Sequence, residues 1–254
     1  MTRVLLTRPR EDSAPLAALL EARGVSSLIA PVIDIAWGDG PAPDMAGVQA
    51  LLMTSANGVR ALARLLPAGD PAFALPVCAV GDATARSAAE AGFARVESAD
   101  GEVESLARLA AACLDPAAGA LLHVAGSAVA GDLAGRLEAA GFTVRRAVLY
   151  EARAATALPA APRQALAAGD LDAVLFFSPR TAATFVRLVR DSGCEAACAG
   201  LTALCLSAAV AEQAGAIHWA GTAVARNPTL ESMLALLDDF VTRRAPDRPT
   251  ETGS

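Results

Sequence analysis

The stretch VLLTRPREDSAPLAALLEARG, residues 4–24, decides the fold. Its first apolar residues, Val4–Leu6, form the short continuous run that is typical of a strand buried on both faces of a sheet. Leu16 and Leu20 then fall on one face of a following segment that stops at Gly24. This spacing predicts an amphipathic helix that ends at the glycine. A buried strand followed by a helix is the building unit of an α/β protein.

A second copy of this stretch occurs as LLHVAGSAVAGDLAGRLEAAG, residues 121–141. Leu16 corresponds to Leu133 and Gly24 corresponds to Gly141, with the glutamate and alanine between them also matching. Composition alone could make Ala- and Leu-rich helices resemble one another, but here the elements also recur in the same order. The repeat therefore predicts two similar α/β domains, each a parallel five-stranded sheet flanked by helices.

Four further segments shape the predicted organisation. Residues Ser27–Ile35 are mostly apolar and predict a single second strand. Trp37–Asp44 and Arg153–Arg163 are rich in turn residues and directly follow matched strands, so we expect the chain to cross between domains there. Arg243–Ser254 has no apolar pattern and predicts a mobile tail.

The charge composition excludes several functions. The chain has 21 basic residues against 27 acidic ones, a net charge of −6, and every basic residue is Arg. The lack of Lys excludes Schiff-base chemistry, pyridoxal enzymes and a Walker-type phosphate loop. The negative charge argues against a nucleic-acid partner, because neutralising phosphates needs a basic surface. The two His and five Cys offer little for a metal site.

The apolar runs and the cysteines indicate the compartment. No apolar run is long enough to span a membrane, and Val4–Leu6 after Arg3 is too short for a signal peptide. The cysteines are odd in number and have no disulfide-framework spacing. We therefore expect a cytoplasmic protein with free thiols and no membrane association.

Small, polar or basic residues follow several predicted strands, where helices begin. They are Arg8, Ser55, Asn57, Gly81, Gly126, Ser127, Ser178, Arg180 and Ser207. Ligands of parallel α/β sheets bind beyond the carboxyl ends of the strands, and helix N-termini attract anions, including carboxylates. Helix capping alone explains any one of these residues. Because both halves present several such turns, we expect an anion-lined cleft.

Two single residues complete the candidates. His123 is expected at a strand end, where it could face a cleft. Tyr150 is the only tyrosine and lies at the end of a matched strand, although a strand-end aromatic residue whose hydroxyl reaches water is an equally simple explanation.

Several segments in order resemble uroporphyrinogen-III synthases, over roughly residues 3–240. They are VLLTRP at 4–9 with APVIDI at 30–35, LLMTSANGV at 51–59, AVGDATA at 79–85, GDL at 131–133 with VLY at 148–150, and LFFSP at 175–179. The resemblance implies two flavodoxin-like α/β domains joined by a two-stranded connector, with the substrate held between them. It also implies a discontinuous first domain, residues 1–35 with 152–242, a second domain over 36–151, and a tail over 243–254.

The implied reaction converts hydroxymethylbilane, a linear tetrapyrrole, into uroporphyrinogen III. The terminal pyrrole ring is inverted, through a spiro intermediate, and water is lost. The substrate carries eight carboxylates, which suits an anion-binding cleft, and no metal or organic cofactor is implied. Because this substrate can also close unaided to the wrong isomer, the enzyme mainly has to hold one conformation. We expect a monomer whose partner is this small molecule.

The resemblance also assigns residues. Thr7, Arg8, Ser55, Asn57, Gly81 and Ser178 match positions of the family's cleft. Tyr150 matches the tyrosine proposed to assist departure of the hydroxyl. The chain departs from the family at Ala125-Gly126, where relatives often have Arg-Gly, and at 206–209, where LSAA replaces a Gly-Pro-Thr-Thr turn.

Two alternatives to the enzyme remain open. One is a non-catalytic two-domain protein that closes on a polyanionic small molecule. The other is a degenerate family member that regulates the tetrapyrrole pathway without turnover, which the two altered turns allow.

Overall fold

A computed structural model of the chain describes residues 1–99, 101–128 and 131–244. Within them, eleven strands and nine α-helices follow one another in chain order: β1 (Arg3–Leu6), α1 (Arg10–Glu21), β2 (Ser26–Ile29), β3 (Ile33–Trp37), β4 (Val48–Met53), α2 (Ala56–Leu65), β5 (Pro76–Ala79), α3 (Asp82–Glu90), β6 (Arg95–Ser98), α4 (Val103–Cys113), β7 (Ala120–Gly126), α5 (Leu133–Ala139), β8 (Val144–Ala154), α6 (Ala160–Ala168), β9 (Ala173–Phe176), α7 (Pro179–Asp191), β10 (Thr202–Cys205), α8 (Ala208–Ala214), β11 (Gly221–Val224) and α9 (Leu230–Arg244). The alternation of strands and helices confirms the predicted α/β fold.

The chain divides into two compact units. One comprises residues 1–34 together with the described residues from 153 onward, and the other comprises the described residues of 35–152. The first boundary falls within β3 and the second within β8, and these two strands are neighbours in one sheet.

The first unit contains a five-stranded sheet in the order β11-β10-β9-β1-β2, and all of its strand pairs are parallel. β1 lies inside this sheet, where Leu5 pairs with Leu28 of β2 on one side and with Val174 of β9 on the other. Leu16 and Leu20 of α1 are buried against it, as the helical spacing predicted. The carboxyl ends of all five strands therefore meet at one edge.

The second unit contains a sheet in the order β3-β8-β7-β4-β5-β6. It has six strands, so the prediction of five strands in each sheet is wrong here. The five strands from β8 to β6 pair in parallel. At the edge of β8, the Gly38 amide donates to the carbonyl of Leu149 and the Ala155 amide donates to that of Val32. Residue numbers therefore increase along β3 in the direction in which they decrease along β8. β3 is thus an added antiparallel strand.

The segment predicted as one strand, Ser27–Ile35, is in fact two. β2 stops at Ile29 and β3 begins at Ile33. Pro31 lies between them and has no amide hydrogen to donate to a sheet, so the ladder is interrupted there. The two strands then join different sheets.

The predicted tail over 243–254 begins too early, because α9 continues through Arg243 to Arg244. The Arg244 guanidinium donates to the carboxylate of Asp172 and lies 5.6 Å from the ring centroid of Phe240, which anchors this helix end. Residues 245–254 lie outside the described residues. Within the described residues, no helix is both long enough and apolar enough to cross a membrane.

Candidate functional site

The carboxyl end of β1 carries Thr7 and Arg8, the first two predicted site residues. Thr7 is completely buried and its hydroxyl donates to the carbonyl of Leu175 at 2.9 Å, so its side chain ties β1 to β9. The Arg8 guanidinium forms an ion pair with Asp12 at 3.1 Å and lies 4.6 Å from the ring centroid of Phe177. Arg8 therefore presents a partly exposed charge in a fixed position, whereas Thr7 supports the edge from behind.

Ser178, Arg180 and Ser207 lie at the same edge of the first sheet, at the starts of α7 and α8. Ser178 caps α7, where its hydroxyl accepts from the amide of Thr181 at 3.2 Å. Arg180 is exposed in the first turn of that helix. Ser207 is the N-cap residue of α8, but its side chain makes no capping hydrogen bond. The Ser178 hydroxyl is thus committed to the helix, while that of Ser207 is not.

Ser55, Asn57 and Gly81 occupy the carboxyl edge of the second sheet. Ser55 caps α2 by accepting from the amide of Asn57 at 3.1 Å, and the Asn57 side chain accepts from Arg60 at 2.9 Å. Gly81 precedes α3 and has no side chain to cap it. A Cβ at Gly81 would lie 3.2 Å from the Cα of Gly101, so the turn has little space for a larger residue.

Gly126 and Ser127 lie at the carboxyl end of β7, where they meet Tyr150 of β8. Tyr150 was predicted at a strand end, but it lies inside β8, which continues to Ala154. The Ser127 amide donates to the carbonyl of Tyr150 at 2.9 Å. The Tyr150 ring lies over Gly126, where a Cβ would be 2.9 Å from ring carbons Cε2 and Cζ. Trp37 packs beside the ring at a centroid distance of 6.5 Å. No hydrogen bond to the Tyr150 hydroxyl is found among the described residues, and the residue is half-buried.

His123 is not at a strand end as predicted but in the middle of β7, where it is 4% exposed. Its Nε2 lies 3.3 Å from the hydroxyl oxygen of Thr54. Burial, together with the positive charge of Arg146, lowers the pKa of His123 to about 4, so its imidazole is neutral near pH 7. His123 therefore joins β7 to the turn after β4 rather than facing solvent.

Thr54 opens the turn over residues 54–57 that was predicted as a helix start. Arg146 and Gly58 were not predicted as site residues. The Arg146 guanidinium donates to the carbonyls of Gly126 and Ser127, at 2.7 and 3.1 Å. A Cβ at Gly58 would lie 3.1 Å from the carbonyl oxygen of Val124. Only Gly58 carried a signal, because a glycine inside an otherwise helical pattern indicates a close approach.

The cysteines and acidic residues form no evident metal site. Within the described residues, no group of three or more His, Cys, Asp or Glu could hold a metal ion. All five cysteines are free thiols in the structure. Burial raises the pKa of Cys78 to about 11 and that of Cys198 and Cys205 to about 12, so these three are protonated thiols.

A family model for uroporphyrinogen-III synthase HemD matches residues 14–235. The chain belongs to the uroporphyrinogen-III synthase family. The match spans most of the chain and confirms the resemblance seen in the segments between residues 4 and 179. No curated protein matches the sequence.

Two solved uroporphyrinogen-III synthases are similar to the chain. A mutant enzyme from Thermus thermophilus has 21% identity and a TM-score of 0.54, with 96% of this chain and 100% of that chain covered. The enzyme from Helicobacter pylori has 18% identity and a TM-score of 0.60, with 94% and 100% covered. At these identities the similarity shows a shared fold.

The structure shows what surrounds Ala125, one of the positions where the chain departs from the uroporphyrinogen-III synthase pattern. The resemblance implies an Arg before the glycine that ends β7, where this chain has Ala125, and Ala125 is fully buried. The guanidinium that contacts this turn belongs instead to Arg146 of the neighbouring strand.

Proposed function

We propose that the chain is a cyclising hydro-lyase that converts hydroxymethylbilane into uroporphyrinogen III. The observation that carries this proposal is the family match over residues 14–235. The arrangement of polar residues supports it, because helices begin at the carboxyl ends of parallel strands in both sheets. Such starts present amide groups and a positive dipole end, which suit the carboxylates of the substrate.

The finer architecture is part of the proposal. Two flavodoxin-like domains account for the parallel strands of the two sheets. The neighbouring strands β3 and β8, in which both unit boundaries fall, serve as the two-stranded connector. The pairing of β1 with both β2 and β9 supports a first domain built from the two ends of the chain.

Substrate carboxylates bind in this proposal mainly to backbone amides and partly exposed charges. Ser55 and Ser178 order their helix starts, since their hydroxyls already accept from amides of those helices. Asn57, Gly81, Gly126 and Ser127 lie at the edge of the second sheet, and Ser207 adds a hydroxyl that does not cap its helix at the first. Arg8 and Arg180 are the candidate positive charges. Thr7 does not contact the substrate in this proposal but holds the end of β1 in place through its hydrogen bond to the carbonyl of Leu175.

Tyr150 is the candidate acid for departure of the hydroxyl group. The phenol donates its proton to the departing hydroxide, which leaves as water. The proton released when the ring closes restores the phenol. We propose that the reaction needs neither metal nor organic cofactor, because the substrate loses hydroxide without help and the protein has to control its conformation. A cytoplasmic monomer completes the proposal.

Supplying freshly made hydroxymethylbilane and separating the oxidised products by chromatography tests the function. We expect the type III isomer in excess over the type I isomer formed in buffer alone. The protein should retain this activity after treatment with a chelator. If only the type I isomer formed, and a separate measurement showed that the protein binds the substrate, the chain would be the non-catalytic binding protein instead.

A further inference from the structure

Arg146 makes contacts that differ from those of the arginine beside it. Its Nη2 donates to the carbonyl oxygens of both Gly126 and Ser127, at 2.7 and 3.1 Å. Within the part of the chain that the structure describes, Arg146 forms no ion pair. Its neighbour Arg145 instead pairs with Asp44 at 3.6 Å and donates to the carbonyl of Ala46 at 2.8 Å. The Arg146 charge is thus directed at a backbone turn.

This turn sets the position of Tyr150 through two contacts. The Ser127 amide donates to the Tyr150 carbonyl at 2.9 Å, which fixes the backbone of β8 at this point. The Cα of Gly126 faces the phenol, because a Cβ there would lie 2.9 Å from two ring carbons and 3.2 Å from the hydroxyl oxygen. The Tyr150 ring therefore packs against Gly126, whose carbonyl accepts a hydrogen bond from Arg146.

We propose that Arg146 is a positioning residue for Tyr150, acting through the Gly126-Ser127 turn. One guanidinium nitrogen bonds both carbonyls of the turn, so it fixes the orientation of two successive peptides. Those peptides support the ring and the backbone of the tyrosine. The catalytic consequence rests on the proposed function, whereas the structural consequence for the phenol does not.

A fluorine spectrum tests the positioning directly. Tyr150 is the only tyrosine, so 3-fluorotyrosine labelling of the full chain gives one ¹⁹F resonance. We expect a sharp signal in the parent protein, displaced from its position in the unfolded chain. Arg146→Gln should move it toward the unfolded position and broaden it. Arg146→Lys should restore part of the displacement, since an ammonium group still donates to a carbonyl.

Arg145→Gln is the matched control, because it removes the same charge from the adjacent position of the same strand. We expect it to leave the ¹⁹F signal unchanged. An unchanged signal in folded Arg146→Gln would overturn the proposal, as would an equal change in both variants.

Kinetics separate positioning from direct substrate binding. Displacing a reacting group by 1 Å can cost about 10²-fold in rate, and Arg146→Gln loosens the support without removing the phenol. We expect kcat to fall about 10-fold with KM changed less than about 2-fold, and no further loss in the Tyr150→Phe background. If Arg146→Gln raised KM but left kcat and the ¹⁹F signal unchanged, Arg146 would be a ligand of a substrate carboxylate. That result would overturn the proposal that Arg146 positions Tyr150. If the parent protein formed no type III isomer, the proposed function would fail while the fluorine spectra still decided the inference.

Discussion

Replacing Gly126 with alanine should push the Tyr150 ring out of place without disturbing the backbone. Gly126 does not have a positive φ, so alanine can adopt its backbone conformation. The added methyl group would meet two ring carbons at 2.9 Å, well inside the 3.4–4 Å of ordinary contact. The ring must therefore retreat or rotate.

The expected cost follows from this overlap. Inserting a methyl group into a packed site costs about 1–3 kcal/mol. Because Tyr150 is only half-buried, its ring can move toward solvent, and we expect about 1–2 kcal/mol. For a chain of this length that corresponds to a loss of about 2–8 °C in melting temperature. Activity should fall by no more than it does in Tyr150→Phe.

A double-mutant cycle isolates the steric contact. In a Tyr150→Leu background the ring is gone, so adding Gly126→Ala should cost little further stability, which corresponds to a coupling energy of about 1–2 kcal/mol. Gly200→Ala is the control, since no atom of the residues that the structure describes would lie within 4 Å of its Cβ. It should change the free energy of unfolding by less than about 0.5 kcal/mol. Equal destabilisation by Gly126→Ala with and without the ring would refute the reasoning.

Three further predictions concern titration, charge and thiols. The pKa of His123 is about 4 in the folded protein, below its ordinary 6.5. The neutral imidazole therefore contributes at most about 3 kcal/mol to the free energy of unfolding. This contribution is complete above pH 6.5 and is lost as the pH falls toward 4. Urea unfolding of His123→Gln should therefore depend less steeply on pH than that of the parent protein, and parallel profiles would contradict this. Arg8→Ala should weaken binding of the oxidised cyclic product severalfold, with the loss shrinking as salt screens the charge, and unchanged affinity with no salt dependence at equal folded fraction would rule out this role. A thiol reagent should modify Cys113, which is exposed, before the buried Cys198 and Cys205. Cys113→Ser should therefore remove the fastest phase of modification.

The fold was predictable because its signals are local. Apolar runs such as Val4–Leu6 indicate buried strands. Leu16 and Leu20 are spaced so that both fall on the buried face of their helix. The division of Ser27–Ile35 into β2 and β3 was not predictable. Both parts contain apolar residues, and a proline between them is compatible with one bent strand or with two. Which sheet each part joins depends on partners far away in the sequence.

The candidate site was predictable as a set of turns but not as a set of contacts. Ser55 and Ser178 cap helices, as their position before an apolar helical face indicates. The burial of Thr7 and the interior position of His123 depend on which neighbouring strand covers them. Arg146 approaches Gly126 only because β7 and β8 are adjacent, and no local spacing carries that information.

The interior position of β1 has a consequence for how a nascent chain acquires its structure. Val4 pairs with Ala173, so β1 leaves the ribosome long before its partner β9 is made. At about 5–20 residues per second, the delay is about 8–35 s. The segment 35–152 is synthesised within that interval and has its own core. We therefore expect it to fold first, while the apolar β1 stays exposed and available to chaperones until β9 emerges.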